Sequence, residues 1–152
     1  MTRAVVVGAG PAGLAAAEIL GAAGVRVTVI DQMPSPARKF LMAGKSGVNI
    51  TKDESAADMA KAMRAPWLLP MLEAFDSAAV RAWCHELGQN TFIGSSGRVF
   101  PDAMKASPLL RAWLGRLEGY GVELRRRWTW TGFQGGELTF ETPDELREIS
   151  AD

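Results

Sequence analysis

The sequence predicts an α/β fold in which parallel strands are joined by a helix, and three segments near the amino terminus support this. Residues 5–7 are a run of valines, which suits a buried parallel strand. Residues 12–23 are rich in alanine and predict a helix that stops at Gly24. Residues 25–30 form a second β-branched strand. Together these segments make one βαβ unit of about thirty residues.

Three glycines follow the first predicted strand with the spacing G-x-G-x-x-G. Gly8 permits a tight turn, Gly10 lets a pyrophosphate approach the backbone, and Gly13 lets the helix pack closely on the sheet. Pro11 fits the first helical turn, where Ala12 follows it and the free N–H groups would face phosphates. The pattern predicts a dinucleotide site, and the alternative is a glycine-rich turn without a ligand.

An acidic residue closes the second predicted strand. Asp31 stands 18 residues after Gly13, where a carboxylate can accept both hydrogens of a ribose diol. Residue 32 is Gln32 rather than arginine, so NADP is the least favoured dinucleotide. The glycine pattern alone does not distinguish FAD from NAD.

Composition excludes several classes of protein. The 152 residues are 47% hydrophobic and 22% charged, which is typical of one soluble globular domain. Lys and Arg together number 17, as do Asp and Glu, so no overall field attracts nucleic acid or an anionic membrane. No apolar run is long enough to span a membrane. Cys84 is the only cysteine, which fits a reducing compartment, and we expect a cytoplasmic protein without a zinc site.

A basic, glycine-containing segment follows the βαβ unit. It contains Arg38, Lys39 and Lys45, with Gly44 and Gly47 between and beyond them. One interpretation is a solvated basic loop. The other is that these residues meet coenzyme oxygens, because they lie just beyond a dinucleotide-binding strand.

The remaining chain predicts short helices and hairpins. Thr51 and Glu54 form a possible capping box that opens a helix over residues 52–64, with a mobile polar loop as the alternative. The other predicted elements are a helical segment at 67–75 interrupted by Pro70, a helix capped by Asp76 or Ser77 and ending at Gly88, a hairpin of 91–93 with 99–100, a helix with Ser107 as N-cap and Pro108 at its first position, a strand at 122–126, a hairpin of 128–133 with 137–141, and a capping signal at 142–145. Cys84 and His85 fall on one of these helices, where packing and partial exposure are favoured over a nucleophile pair.

Only one later segment, residues 122–126, suits a third parallel strand. It gives the spatial order 3-2-1 and leaves the far side of the first strand open. No second glycine-rich nucleotide motif follows. We therefore expect an incomplete domain, the amino-terminal portion of a larger one.

Four blocks of sequence carry a family resemblance: residues 8–14, 38–51, 97–101 and 105–114. With them the chain resembles the BaiN/YhiN-like flavoproteins, which are also described as aminoacetone-oxidase-type or NAD(P)/FAD-dependent oxidoreductases. The resemblance covers nearly the whole chain. This chain departs from the family pattern at Ala37, where the family usually has glycine before Arg-Lys.

The resemblance implies a Rossmann-like, GR2-type FAD-binding fold, with residues 1–51 as the βαβ unit and flavin loop, 52–120 as a helical and hairpin segment, and 121–141 as the third strand and the start of a β-rich region. It implies FAD as cofactor, NAD(P)H as a possible electron donor, and a missing carboxy-terminal part or partner chain. It assigns cofactor binding to Gly8, Gly10, Pro11, Ala12, Gly13, Asp31, Gln32, Arg38, Lys39, Gly44, Lys45, Gly47, Asn49, Thr51 and Trp130.

Three functions follow from these observations. The first is the FAD-binding portion of a flavoprotein oxidoreductase. The second is a truncated or split module that only binds FAD or ADP, and weakly. The third is a free-standing NAD-binding domain, which the block at residues 38–51 disfavours. No residue is assigned a catalytic role, and the substrate is a small molecule of unassigned class.

Overall fold

The computed structural model describes residues 1–43 and 47–152, which divide into two compact units. The first unit contains Met1–Phe40 and Trp113–Asp152, and the second contains Leu41–Ala112. The glycine pattern and the predicted third strand therefore belong to the first unit.

The described residues form short elements of both kinds. The strands β1 to β9 are Arg3–Val7, Arg26–Asp31, Thr51–Lys52, Thr91–Ile93, Arg98–Pro101, Glu123–Arg126, Thr129–Gln134, Glu137–Glu141 and Leu146–Ile149. The α-helices α1 to α6 are Pro11–Ala22, Arg38–Met42, Ala56–Ala62, Leu69–Ala74, Ser77–Glu86 and Ala106–Gly119, and a 3₁₀ turn covers Pro66–Leu68.

The main sheet of the first unit is parallel and has the order β1-β2-β6, as predicted. Val6 pairs with Val29, which in turn pairs with Leu124. The central strand β2 contributes the buried side chains of Val27, Val29 and Ile30. The prediction that the first strand is buried was wrong: β1 is an edge strand of this sheet and Val7 is 49% exposed.

Helix α1 packs on this sheet through a face formed by Leu14, Ala17 and Gly21. It ends at Ala22, and Gly24 follows in the left-handed region with φ of 79°, which confirms the predicted glycine stop. A second contact comes from Glu18, whose carboxylate accepts hydrogen bonds from the Trp113 indole at 2.7 Å and the Arg116 guanidinium at 2.9 Å.

The first unit also contains an antiparallel sheet with the order β7-β8-β9. It includes the predicted hairpin around Gly135 and Gly136, which is confirmed. The capping signal at 142–145 does not begin a helix. Instead, the Thr142 hydroxyl accepts from the backbone of Glu145 at 3.1 Å, and the chain turns into β9.

The second unit contains an antiparallel sheet with the order β3-β5-β4, in which the predicted hairpin β4-β5 is confirmed. The capping box was wrong: Thr51 pairs with Val99 in the sheet, and Ser55 caps α3 by accepting from the Asp58 backbone. Pro70 lies in the first turn of α4 rather than interrupting it, and Asp76 caps α5. Ser107 was wrongly predicted as an N-cap, because α6 begins at Ala106 and Ser107 is already its second residue.

None of the helices in the described part of the chain combines the length and apolar character that a membrane span needs.

Candidate functional site

The glycine turn joins β1 to α1 and is built closely on the sheet. Gly8 has φ of 106°, which favours glycine, and its N–H continues the pairing by donating to the Ile30 carbonyl at 2.7 Å. A Cβ built on Gly13 would collide with the Gly8 carbonyl oxygen and would lie 3.2 Å from Val6 Cγ1. These contacts confirm the turning role of Gly8 and the close-packing role of Gly13.

Gly10 differs from both neighbours in the pattern. It is the N-cap of α1, and a Cβ built there would meet no atom of the described residues within 4 Å. Within the part of the chain that the structure describes, no side chain caps this end of α1, and Pro11 and Ala12 are exposed. Because the first turn of a helix presents unpaired N–H groups and the positive end of its dipole, this opening suits an anion.

Asp31 lies directly beside this turn. One oxygen of its carboxylate accepts from the Ala9 backbone N–H at 2.7 Å, and the other accepts from the Met33 N–H at 2.7 Å. Ala9 is fully buried, so its N–H requires such a partner. A carboxylate has about four acceptor positions, so lone pairs remain for a further donor. The acid at the end of β2 and the opening of α1 therefore form one continuous polar edge.

A cavity of about 290 Å³ opens at this edge of the first unit. One wall comes from the main sheet and the other from the crossing between β6 and β7. The lining residues are Val7, Gly8, Ile30, Asp31, Gln32, Trp128, Thr129 and Trp130. Gly8, Asp31, Gln32 and Trp130 were predicted as site residues, and the structure brings them together around one space.

The crossing that forms the second wall is held by backbone hydrogen bonds to the end of β2. The Trp128 N–H donates to the Asp31 carbonyl at 3.1 Å, and the Arg127 N–H donates to the Met33 carbonyl at 3.3 Å. Arg127 is in the left-handed region with φ of 61°, which is uncommon for a residue other than glycine. This bend takes the chain out of the main sheet.

The start of α2 is also tied to the glycine turn. The Ala37 N–H donates to the Ala9 carbonyl at 2.7 Å, and Ala37 has φ of 52° while being buried. The next two residues, Arg38 and Lys39, are exposed and begin α2. The residue just before Arg38 thus contacts the glycine turn directly through its backbone.

The remaining predicted residues belong to the second unit or lie outside the described residues. Gly47, Asn49 and Thr51 belong to the second unit, where Gly47 has φ of 130°. Just before β3 begins at Thr51, the Ile50 N–H donates to the Val99 carbonyl at 3.0 Å. Two further predicted residues, Gly44 and Lys45, lie outside the described residues.

Cys84 and His85 do not form a nucleophile pair. Cys84 is fully buried, and burial raises the pKa of its thiol to about 11. His85 is exposed, and its Nε2 lies 3.3 Å from the Thr91 hydroxyl. In residues 1–43 and 47–152 no group of three or more His, Cys, Asp or Glu residues is placed to hold a metal.

Sequence reasoning missed part of this site. Trp128 and Thr129 line the cavity but were not predicted, and neither was the hydrogen bond between Ala9 and Asp31. Trp128 and Trp130 are two residues apart at a strand, so they share one face. That spacing, directly after the third parallel strand, was the signal available in the sequence.

The fold and the glycine turn define a Rossmann-like α/β protein. The chain belongs to the family described as the HI0933-like protein Rossmann domain, whose model matches residues 2–152. A comparison with curated protein sequences gave no match.

Several solved structures share the fold at low sequence identity. One is THI4 from Thermovibrio ammonificans, with 17% identity, a TM-score of 0.61, and coverage of 99% of this chain and 54% of that one. Another is 3-ketosteroid-delta4-(5alpha)-dehydrogenase from Rhodococcus jostii RHA1, with 16% identity, a TM-score of 0.71, and coverage of 99% and 44%. A third is CabE, an aromatic hydroxylase from angucycline biosynthesis, with 26% identity, a TM-score of 0.54, and coverage of 97% and 29%. The chain thus spans about half or less of the length of these proteins.

Proposed function

We propose that this chain is the FAD-binding portion of a flavoprotein oxidoreductase of the BaiN/YhiN-like type. The hydrogen bond between the Ala9 backbone and the Asp31 carboxylate carries the proposal. It places an acid suited to a ribose diol beside an uncapped helix opening suited to a pyrophosphate. The open space over Gly10 fits this use, because no part of the turn fills it.

Each predicted residue has a proposed task in this arrangement. The backbone at Gly8, Gly10, Ala12 and Gly13 would hold the pyrophosphate, with Pro11 shaping the first turn, and Asp31 and Gln32 would hold the adenosine ribose. The backbone at Trp130 would approach the adenine. The following residues would lie along the pyrophosphate and the flavin: Arg38, Lys39, Gly44, Lys45, Gly47, Asn49 and Thr51.

The bound flavin would supply the redox chemistry, and NAD(P)H is the electron donor that we propose. Two of the similar structures are described as a dehydrogenase and an aromatic hydroxylase, which are redox enzymes. This supports an oxidoreductase but leaves the substrate of this chain unassigned. We also propose a cytoplasmic location, because the single cysteine needs no oxidising compartment.

A binding-only module is the second candidate, and one observation favours it. Among the described residues, the outer edge of β1 carries no strand, so the main sheet has three strands and an open side. We therefore expect the 152-residue chain to bind FAD weakly and to turn over little. FAD held tightly and at one equivalent in the purified protein would contradict this expectation.

Titration with FAD, followed by visible absorbance under anaerobic conditions, tests both candidates. Saturable binding supports a flavin site, and bleaching on addition of NADH supports the oxidoreductase over the binding-only module. Binding of NAD without any binding of FAD would favour the third candidate, a free-standing NAD-binding domain, and overturn the proposal.

Asp31→Ala should weaken binding of FAD or ADP by about 1–3 kcal/mol, because the ribose hydroxyls lose a charged acceptor. Isothermal titration measures the change, and thermal unfolding reports any loss of stability from the freed Ala9 and Met33 N–H groups. Asp144→Ala, at an exposed turn of the same unit, is the control and should leave affinity unchanged. Equal affinity of the Asp31 variant and the native protein would remove Asp31 from the site.

A further inference from the structure

Trp130 stands at the cavity with its ring fixed and a large part of it uncovered. Its indole N–H donates to the Gly132 carbonyl at 2.8 Å, and its ring meets that of Phe133 edge-on, with centroids 5.5 Å apart. The side chain nevertheless stays 44% exposed. A large aromatic ring held in place at a cavity is ready to accept a flat partner without losing further conformational freedom.

The backbone around Trp130 is shaped for this position. The pairing of β7 with β8 shifts between Trp130 and Gly132, which is a β-bulge, and Gly132 has φ of 139°. Thr131 is the extra residue, and its hydroxyl is 2.9 Å from the hydroxyl of Thr139. Bulges next to binding sites commonly redirect a side chain, and this one lies beside a cavity-lining tryptophan.

A second tryptophan lines the same cavity from a more buried position. The Trp128 ring packs on Phe140 with centroids 6.0 Å apart, and the Arg125 guanidinium carbon lies over the Trp128 ring, 6.0 Å from its centroid. The cavity therefore has aromatic side chains on one side and the polar groups of Asp31 and Gln32 on the other. This combination suits a nucleoside, whose base is flat and apolar on its faces and whose sugar carries hydroxyl groups.

We propose that the Trp130 side chain stacks on the purine base of an adenine nucleotide and makes the site selective for ligands that carry this base. This inference rests on the proposed function, since it places the ribose at Asp31 and the adjoining base at the indole. Phosphate and ribose contacts hold any nucleotide, whereas the indole favours those with a large flat base. FMN lacks both the adenine and the adenosine ribose that the proposal places at Trp130 and Asp31, so it should bind less well than FAD.

The test uses the full chain, with ADP as the probe and ribose 5-phosphate as the probe without a base. Trp130→Ala should raise the Kd for ADP about 5- to 100-fold, whereas the Kd for ribose 5-phosphate should change little. Trp130→Phe should retain most of the affinity for ADP, and Trp130→Leu should not, because only the first keeps an aromatic face. Trp67→Ala, at a 70% exposed tryptophan of the second unit, is the matched control.

Fluorescence gives a second readout that a purely structural role would not affect. Stacking should quench the Trp130 emission, so ADP should quench the native protein strongly and Trp130→Phe weakly. If native protein binds ADP and the Leu, Phe and Ala variants bind it equally well, the inference is overturned while the proposed function stands. If native protein binds neither ADP nor FAD, both are overturned.

Discussion

Gly10 and Gly13 belong to one sequence pattern, yet they are glycine for different reasons. A Cβ at Gly13 would collide with the Gly8 carbonyl oxygen and lie 3.1 Å from its carbon. At Gly10 the space is open and φ is −80°, which other residues readily adopt. The fold itself requires glycine at position 13 but not at position 10. A shared motif can therefore combine a requirement of packing with a requirement that only a ligand would impose.

Gly13→Ala should have the largest effect. The added methyl group meets backbone rather than a flexible side chain, so α1 must move away from the sheet, and we expect a loss of about 3 kcal/mol or more in the free energy of unfolding. Urea denaturation measures it. Gly115→Ala is the matched control, because this exposed glycine of α6 has nothing within 4 Å of its Cβ position. The free energy of unfolding of this control variant should rise by up to about 1 kcal/mol, because alanine has the higher helix propensity.

Gly10→Ala should affect ligand binding more than it affects the stability of the fold. The free energy of unfolding should fall by about 1 kcal/mol or less, because that is the extent to which glycine stabilises a helix more than alanine does at the N-cap. Affinity for FAD or ADP should fall by about 1–3 kcal/mol, because the methyl group occupies the space proposed for the pyrophosphate. Titration calorimetry beside thermal unfolding separates the two quantities. Unchanged affinity would mean that the pyrophosphate does not lie over Gly10, and that a ligand is not the reason for glycine at this position.

Ala37→Gly tests the reverse case, a position where the backbone favours glycine and the sequence has alanine. Ala37 is buried with φ of 52°. The backbone strain that glycine relieves there should exceed the packing energy lost with one buried methyl group. We expect a gain of up to about 1 kcal/mol in the free energy of unfolding, the smallest of these effects. Ala17→Gly, at a buried position inside α1, is the control and should destabilise the protein. Destabilisation by both changes would show that packing outweighs backbone strain at Ala37.

Much of the main sheet could be predicted because its signals are local. The valine runs, the glycine spacing and the stop at Gly24 each depend on neighbouring residues. The order β1-β2-β6 followed because residues 122–126 were the one later segment that suited a third parallel strand. The missed elements depend on pairing between distant segments. Thr51 has the pattern of a helix cap but pairs with Val99, and Thr142 has it too but forms a turn that leads into β9.

The candidate site divides in the same way. The residue types and spacing of Gly8, Gly10, Gly13 and Asp31 were readable from the sequence. The hydrogen bond from the Ala9 backbone N–H to the Asp31 carboxylate was not, because it joins residues 22 apart through the fold. Trp128 was missed for a related reason: only the bend at Arg127 brings the following strand against the end of β2.

The burial of Cys84 has a practical consequence. Its thiol is inaccessible and stays protonated at neutral pH, and it is the only cysteine in the chain. A new cysteine introduced at an exposed residue such as Gln32 would react alone with a maleimide dye or spin label. The native protein thus provides a silent background for attaching a reporter at the edge of the cavity.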